Sequence, residues 1–144
     1  MAVAAGGIEL ADTSVWYRIA KPALAWFQMA VVAGEVGVCD MVMMELLYST
    51  RDRADYDSTE RNLLACPFYP VEPADWAEAR RVWRALVRTG PGPHHRQVGH
   101  QGLLIAAVAA RNGLTVVHYD SDYEIIARIT SQPVRWAAPR GTAD

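Results

Sequence analysis

The sequence has a single lysine and no strong net charge of either sign. Lys21 is the only lysine among the 14 basic residues, and the other 13 are arginines. The formal net charge of −2 excludes a uniformly basic protein that attracts nucleic acid through its overall field. Arginine is the residue suited to bidentate phosphate contacts, although a GC-rich coding sequence is the simpler explanation of its excess.

The sequence also has few cysteines and no apolar run long enough for a membrane span. Cys39 and Cys66 are isolated and lack the spacing of a zinc site, which indicates two reduced core thiols. The longest apolar stretch, residues 23–34, contains Gln28 and is too short to cross a bilayer. No basic segment precedes the first apolar residues, so we expect no signal peptide. These features together predict a cytoplasmic protein that makes no membrane contact.

Short apolar runs alternate with longer helical segments along the chain. The runs typical of buried strands lie at residues 8–11, 36–39, 68–71, 115–118 and 134–136. This alternation predicts one domain over residues 1–144, of the α/β class, with three α/β/α layers around a parallel sheet of four to five strands. We expect its core at about residues 8–136 and a short tail at 137–144.

Two polar segments are expected to be loops. Residues 51–56 are charged and are expected to connect two helices, the second beginning at Ser58. Residues 94–96 follow the Gly-Pro-Gly-Pro break at 90–93.

The helix predicted over 41–49 is apolar on every side. A charge at Glu45 inside it therefore costs folding free energy unless the carboxylate is paired or bound to a cation.

Acidic side chains follow the ends of predicted parallel strands. Asp12 follows the first strand, Asp120 and Asp122 follow the fourth, and Glu45 lies on the helix after the second. The carboxyl ends of such strands border a ligand-binding crevice. Like charges gathered there raise each other's pKa, and a hard divalent cation removes that penalty. An acid cluster without His or Cys favours Mg²⁺ or Mn²⁺ over zinc, and the chemistry of such sites is water attack on a phosphodiester.

Each candidate also has a structural interpretation. Asp12 and Asp120 could simply cap the helices that follow them. Capping cannot explain Glu45, whose sequence neighbours are apolar. Thr13 and Ser14, just past the first strand, and Arg96 in the polar loop are the candidates for contact with phosphate.

A row of arginines shares one face of the helix predicted over residues 74–89. Arg80, Arg84 and Arg88 follow at intervals of four residues. The simplest interpretation is a solvated face whose charge is offset by Asp75 and Glu78, with contact to RNA backbone as the alternative.

Four short segments occur in the order and spacing of one known family. They are Ala-Asp-Thr-Ser at 11–14, Met-Glu-Leu-Leu-Tyr-Ser at 44–49, Leu-Leu-Ile-Ala-Ala at 103–107 and Val-His-Tyr-Asp-Ser-Asp-Tyr at 117–123. Together they resemble the PIN-domain ribonucleases and, more narrowly, the VapC-type toxins of bacterial toxin–antitoxin systems. The resemblance runs over roughly residues 8–136.

The resemblance implies a PIN-like fold and a Mg²⁺- or Mn²⁺-dependent endoribonuclease that cleaves structured RNA such as tRNA or rRNA. It also implies a homodimer and inhibition by a cognate VapB-type antitoxin. Carried over by position, Asp12, Glu45 and Asp120 match the catalytic metal-site acids. Asp122 matches an auxiliary acid of the same metal site.

One position departs from the family pattern. The family has an Asp directly before the Leu-Leu-Ile-Ala-Ala segment, and this sequence has Gly102 there. Because glycine supplies no ligand, we expect weakened metal binding and reduced cleavage. Three explanations stay open: a degenerate nuclease, an acid lost because the active toxin kills its expression host, and substitution by His100.

Three other functions can be compared with the sequence, and one of them depends on the residue at position 102. A catalytically silent PIN module that binds RNA or its antitoxin is the alternative that Gly102 favours. A haloacid-dehalogenase phosphatase needs a second Asp where Ser14 stands. A receiver domain needs a paired acid after the first strand and a late lysine, whereas the only lysine is Lys21.

Overall fold

Strands and helices alternate along residues 7–144, the part of the chain that the computed structural model describes. The strands are β1 Glu9–Ala11, β2 Val36–Cys39, β3 Phe68–Tyr69, β4 Val116–His118 and β5 Val134–Trp136. The helices are α1 Thr13–Trp16, α2 Ala25–Val32, α3 Asp40–Tyr48, α4 Arg53–Leu64, α5 Pro73–Val87, α6 His100–Asn112 and α7 Asp122–Thr130, with 3₁₀ turns at Pro22–Leu24 and His94–Gln97. No helix within these residues combines the length and apolar character of a membrane span.

The five strands form one parallel sheet with the order β3-β2-β1-β4-β5. The chain adds β2 and β3 on one side of β1 and then returns to place β4 and β5 on the other side. This reversal opens a crevice outside the carboxyl ends of β1 and β4, the usual ligand site of such sheets. The predicted α/β class and the parallel sheet of four to five strands are therefore confirmed.

The two faces of the sheet pack against different helices. Leu10 and Val116 belong to a core cluster built with α5, α6 and α7. Their neighbours Ala11 and Val117 point to the opposite face and belong to a second cluster with α2. Because side chains alternate across a strand, the sheet is covered on both faces, and the fold has three α/β/α layers.

Helix α6 is the most buried helix of the fold. Leu103 to Ala109 are all buried, as expected for a segment that is apolar on every side. Gly113 ends the helix in the left-handed conformation with φ 67°, which glycine adopts without strain. The amino-terminal turn of α6, which carries Gly102, emerges at the crevice.

Two local predictions were wrong. Residues 51–56 are not a loop, because the Asp52 side chain accepts a hydrogen bond of 2.9 Å from the Asp55 N–H and starts α4 at Arg53. Residues 94–96 lie in a 3₁₀ turn. Helix α3 is apolar on every side, as predicted, and part of its apolar surface is exposed, with Met44 66% and Tyr48 91% exposed.

The segment 137–144 packs against the end of β4. The Tyr119 hydroxyl accepts hydrogen bonds from the N–H groups of Gly141 and Ala143 and donates one to Asp144 Oδ1. Ala137, Ala138 and Ala143 are buried in the second core cluster. The expected tail is thus tied to the strand that leads into the crevice.

Candidate active site

A cleft of about 300 Å³ lies at the carboxyl ends of β1 and β4, and all four predicted acids line it. Asp12 follows β1 directly, and Glu45 projects from α3 after β2. Asp120 lies in the turn after β4, and Asp122 is the first residue of α7. Crossovers in a parallel sheet therefore gather carboxylates that are far apart in sequence.

The Asp12 carboxylate is buried and is held by three donors. The Tyr123 hydroxyl donates to Oδ1 at 2.6 Å, and the Ser14 N–H and hydroxyl donate to Oδ2 at 3.0 and 2.5 Å. A carboxylate accepts about four hydrogen bonds, so about one lone pair stays free to face the cleft. Asp12 caps α1, as the structural interpretation predicts, and it also lines the cleft.

The turn that carries Asp120 is positioned by a buried histidine. The Asp120 N–H donates to His118 Nδ1 at 3.2 Å, and the Asp122 N–H donates to Asp120 Oδ1 at 2.9 Å. His118 is fully buried between the rings of Tyr123 and Trp136. Burial lowers the pKa of His118, so its neutral ring serves as the acceptor. The Asp120 carboxylate itself is exposed toward solvent.

The cleft concentrates negative charge. Burial and, second, the charge of Asp12 raise the pKa of Glu45, while the nearby Thr13 hydroxyl opposes the rise. Burial, followed by the charges of Asp120 and Asp12, raises the pKa of Asp122. Because each ionised acid makes the next one harder to ionise, a divalent cation would relieve the repulsion.

The donor set of the cleft fits a hard divalent cation. Two buried oxygens in its wall, Glu45 Oε1 and Thr13 Oγ1, have no hydrogen-bond partner within residues 7–144. No three His, Cys, Asp or Glu side chains of that part of the chain form a preassembled metal-binding group. Mg²⁺ takes oxygen ligands, binds one or two carboxylates directly and keeps several waters, and the cleft offers carboxylate and hydroxyl oxygens of this kind.

Gly102 faces the cleft from the first turn of α6. A Cβ there would meet Ile126 Cδ1 and Tyr123 Oη at 3.7 Å, which is ordinary van der Waals contact. The site therefore has room for a side chain directed toward the Tyr123 hydroxyl that holds Asp12. Gln101 also lines the cleft, whereas His100 is exposed and is not among the lining residues.

The three candidates for phosphate contact occupy different places. Thr13 and Ser14 line the cleft. The Ser14 hydroxyl already donates its hydrogen to Asp12 and accepts from the Tyr119 N–H at 3.0 Å, so it has no hydrogen left to donate to phosphate. Arg96 lies on the 3₁₀ turn, outside the residues that line the cleft.

Arg18 and Tyr123 line the cleft with polar groups that the sequence analysis does not single out. Arg18 Nη1 donates to the Ser14 carbonyl at 2.9 Å and Nε donates to the Ala143 carbonyl at 3.0 Å, which orients the guanidinium along the cleft wall. Tyr123 lies within the fourth segment of the resemblance, but no local pattern indicates that its hydroxyl reaches Asp12.

The raised pKa of Glu45 predicts how Glu45→Gln changes stability with pH. A carboxyl whose pKa is higher in the folded than in the unfolded state loses stability as the pH rises through that range. At pH 7 in EDTA we therefore expect a higher urea midpoint for Glu45→Gln than for the parent chain. The difference should narrow as the pH falls toward 4.5, the ordinary pKa of the group. Urea denaturation between pH 4.5 and 7.5 measures it.

The matched control for this prediction is Glu60→Gln on α4, which lies outside the cleft. It removes the same charge and should leave the midpoint and its pH dependence close to those of the parent. Equal midpoints for Glu45→Gln and Glu60→Gln at pH 7 would contradict the electrostatic description of the cleft.

Comparison with known proteins identifies one family over most of the chain. The sequence matches the family model for the PIN domain over residues 10–129. It is 41% identical over 133 residues to ribonuclease VapC18 of Mycobacterium tuberculosis, an alignment that covers 91% of this chain and 96% of that protein. It is 36% identical over 137 residues to ribonuclease VapC21 of the same species, covering 93% of this chain and 96% of the relative.

Solved structures of low sequence identity share the fold. A crystal structure of DNA-bound VapBC from Salmonella typhimurium contains a chain that superposes with a TM-score of 0.68 at 17% identity, covering 92% of this chain and 99% of that one. A chain of VapBC2 from Rickettsia felis, bound to a promoter DNA fragment, gives a TM-score of 0.65 at 16% identity, with 90% and 98% covered.

Proposed function

The chain belongs to the PIN-domain family, and from that premise we propose that it is a divalent-metal-dependent endoribonuclease, the toxin of a VapBC-type toxin–antitoxin pair. The observation that carries the proposal is the convergence of Asp12, Glu45, Asp120 and Asp122 on one cleft at the reversal point of the sheet. Relatives named ribonuclease over nearly the full chain support the reaction class.

The four acids of the cleft would hold Mg²⁺ or Mn²⁺. Asp12 and Asp120 are the principal ligands in this proposal, with Glu45 and Asp122 completing the site. The chemistry that such an ion supplies is the activation of water and the neutralisation of phosphate charge. The carboxylate of Glu45, with a buried oxygen that has no partner among the described residues, is suited to orient the attacking water.

Residues around the acids orient the Asp12 carboxylate and offer hydrogen-bond donors to phosphate. Tyr123 and Ser14 hold the Asp12 carboxylate in one orientation, and preorganised ligands avoid the cost of ordering at binding. Arg18 brings a positive charge to the cleft wall. Its guanidinium and the Thr13 hydroxyl are the donors that we propose for the scissile phosphate.

Gly102 weakens this site in our proposal. It lines the cleft at a place with room for a side chain, and it provides no oxygen ligand. The missing ligand at position 102 is the reason to expect slow cleavage instead of full activity. The same observation favours the second candidate function, a silent PIN module that binds RNA or its antitoxin without cutting.

The proposal includes partners. Structured RNA of the tRNA or rRNA class is the proposed substrate, and a second copy of the chain completes a homodimer. A VapB-type antitoxin is the proposed inhibitor, which is supported by the VapBC complexes among the solved structures of the same fold.

The reaction is tested on a pool of total small RNA with Mg²⁺ or Mn²⁺ at pH 7.5. We expect slow cleavage that stops in EDTA and falls by at least about 100-fold in Asp12→Ala, because a principal metal ligand is lost. The matched control is Asp57→Ala on α4, away from the cleft, which should cut like the parent. Cleavage that survives both EDTA and Asp12→Ala would contradict the metal site.

A further inference from the structure

Charge is strongly segregated along the chain. Residues 79–119 contain six arginines and no aspartate or glutamate. All 16 acidic residues therefore lie outside this segment, together with the remaining eight basic residues. The small overall net charge thus conceals a basic region, which the fold places on α5, the following 3₁₀ turn and α6.

Two of the six arginines are neutralised by ion pairs, and four are not. Arg81 pairs with Glu78 at 2.7 Å and Arg111 pairs with Asp75 at 2.9 Å. The interpretation that Asp75 and Glu78 offset the arginine row on α5 is therefore wrong. The other four are exposed and make no ion pair or side-chain hydrogen bond within residues 7–144; we call them the basic track: Arg80, Arg84, Arg88 and Arg96.

The elements that carry the basic track adjoin the wall of the acidic cleft. Arg80 and Arg84 on α5 and Arg88 at its carboxyl-terminal cap are spaced by four residues, so they follow one face over about 12 Å. The 3₁₀ turn that carries Arg96 packs against α5. The Trp83 indole N–H donates to the Val98 carbonyl at 3.1 Å, and Val98 with Gly99 lines the cleft. The hydrogen bond therefore joins the arginine helix to the cleft wall.

We propose that the basic track binds the phosphate backbone of the RNA whose scissile bond enters the cleft. This inference rests on the proposed function and adds the surface that holds the substrate. The cleft repels a polyanion through its four acids, so the affinity for RNA must come from a cationic surface beside it. Unpaired arginines suit this role because each guanidinium binds phosphate oxygens bidentately. Contacts to phosphate position a strand without reading its sequence.

A triple substitution with a charge-matched control tests the basic track. Arg80→Gln/Arg84→Gln/Arg88→Gln removes three charges from the track. The control, Arg53→Gln/Arg61→Gln/Arg128→Gln, removes three exposed arginines of α4 and α7 that also lack ion pairs within the described residues. The probe is fluorescein-labelled total tRNA, and fluorescence anisotropy in EDTA measures the Kd over a range of salt concentrations without cleavage.

We expect the track variant to bind the tRNA pool at least about tenfold more weakly than the parent, and the control less than about twofold more weakly. The slope of log K against log salt should become shallower by about 2 to 3 in the track variant, because three phosphate contacts are lost. Equal affinities and slopes for the two triple variants would overturn the proposal. That result would favour an acidic protein partner for these arginines. Absence of tRNA binding at low salt would overturn it as well.

Cleavage in the Gly102→Asp background separates this inference from the proposed function. We expect the track substitutions to raise KM for the RNA at least about tenfold and to leave kcat within about twofold, because the acids of the cleft are unchanged. If no variant cuts RNA but the track variant still loses tRNA binding, the nuclease function fails and the basic track stands. If KM is the same for both triple variants, the basic track fails and the nuclease function stands.

Discussion

Gly102→Asp is expected to raise the rate of metal-dependent RNA cleavage by about 10- to 100-fold, the usual effect of one ligand or supporting group at a metal site. Gly102 lines the cleft, and its nearest neighbours leave ordinary contact distance to a new Cβ. The carboxylate would stand beside the Tyr123 hydroxyl that holds Asp12. An acid in the first turn of α6 is also favoured by the helix dipole.

The matched control for this prediction is Gly102→Asn, which has the same shape without the charge. It should raise the rate by less than about threefold, because an amide is a much weaker ligand for Mg²⁺ than a carboxylate. Asp12→Ala in the Gly102→Asp background should return the rate to background. If Gly102→Asn and Gly102→Asp gain equally, the increase comes from helix stabilisation and the assignment of position 102 to the metal site is contradicted.

Arg111→Met is expected to lower the free energy of unfolding by about 3 kcal/mol, the lower end of the range for breaking a buried ion pair. Arg111 Nε and Nη2 donate to both oxygens of Asp75, and Nη2 also donates to the Pro70 carbonyl. Asp75 is 2% exposed, so the substitution leaves a buried carboxylate with only the Glu72 N–H as donor. Urea denaturation with linear extrapolation measures the change.

Arg81→Met provides the control for Arg111→Met. Its partner Glu78 forms a surface pair, with 55% and 33% of the two side chains exposed, and such pairs contribute up to about 1 kcal/mol. Adding Asp75→Asn to Arg111→Met should recover at least about 1 kcal/mol, because the uncompensated buried charge is gone. Equal losses for Arg111→Met and Arg81→Met would contradict the description of Asp75 as a buried charge.

Strand-end positions made the acids of the cleft predictable from the sequence. Asp12 and Asp120 follow short apolar runs, and parallel strands bring their carboxyl ends to one edge. Glu45 is predictable because a charge inside an apolar helix costs free energy unless a partner or a cation compensates it. These inferences depend on the pattern of apolar residues and on which residue follows the carboxyl end of each run, and both can be seen locally in the sequence.

Contacts between distant side chains were not predictable in the same way. The bond from the Tyr123 hydroxyl to Asp12 and the packing of residues 137–144 on Tyr119 depend on the finished fold. The pairing of Asp75 with Arg111 depends on how α5 meets α6. A local pattern can only assign Asp75 to the nearest arginine row, Arg80, Arg84 and Arg88, whereas its partner Arg111 lies on a different helix.

The start of α4 shows a different kind of error. Charged residues at 51–56 have the composition of a loop, but one capping side chain, Asp52, is enough to begin a helix at Arg53. Composition averages over several residues and therefore does not reveal a helix start that one hydrogen bond decides. A Ser, Thr, Asp or Asn followed by a helix-compatible segment is the signal that would have corrected it.

We expect the acidic cleft to hold a divalent cation, and Mn²⁺ binding measured by electron paramagnetic resonance tests this expectation independently of any RNA. Titration of the chain at pH 7 should reveal a bound population that Asp12→Asn weakens at least about tenfold and Gly102→Asp strengthens. Asp57→Asn on α4 should bind like the parent chain. Mn²⁺ affinity that is the same in the parent chain, Asp12→Asn and Gly102→Asp would contradict this expectation.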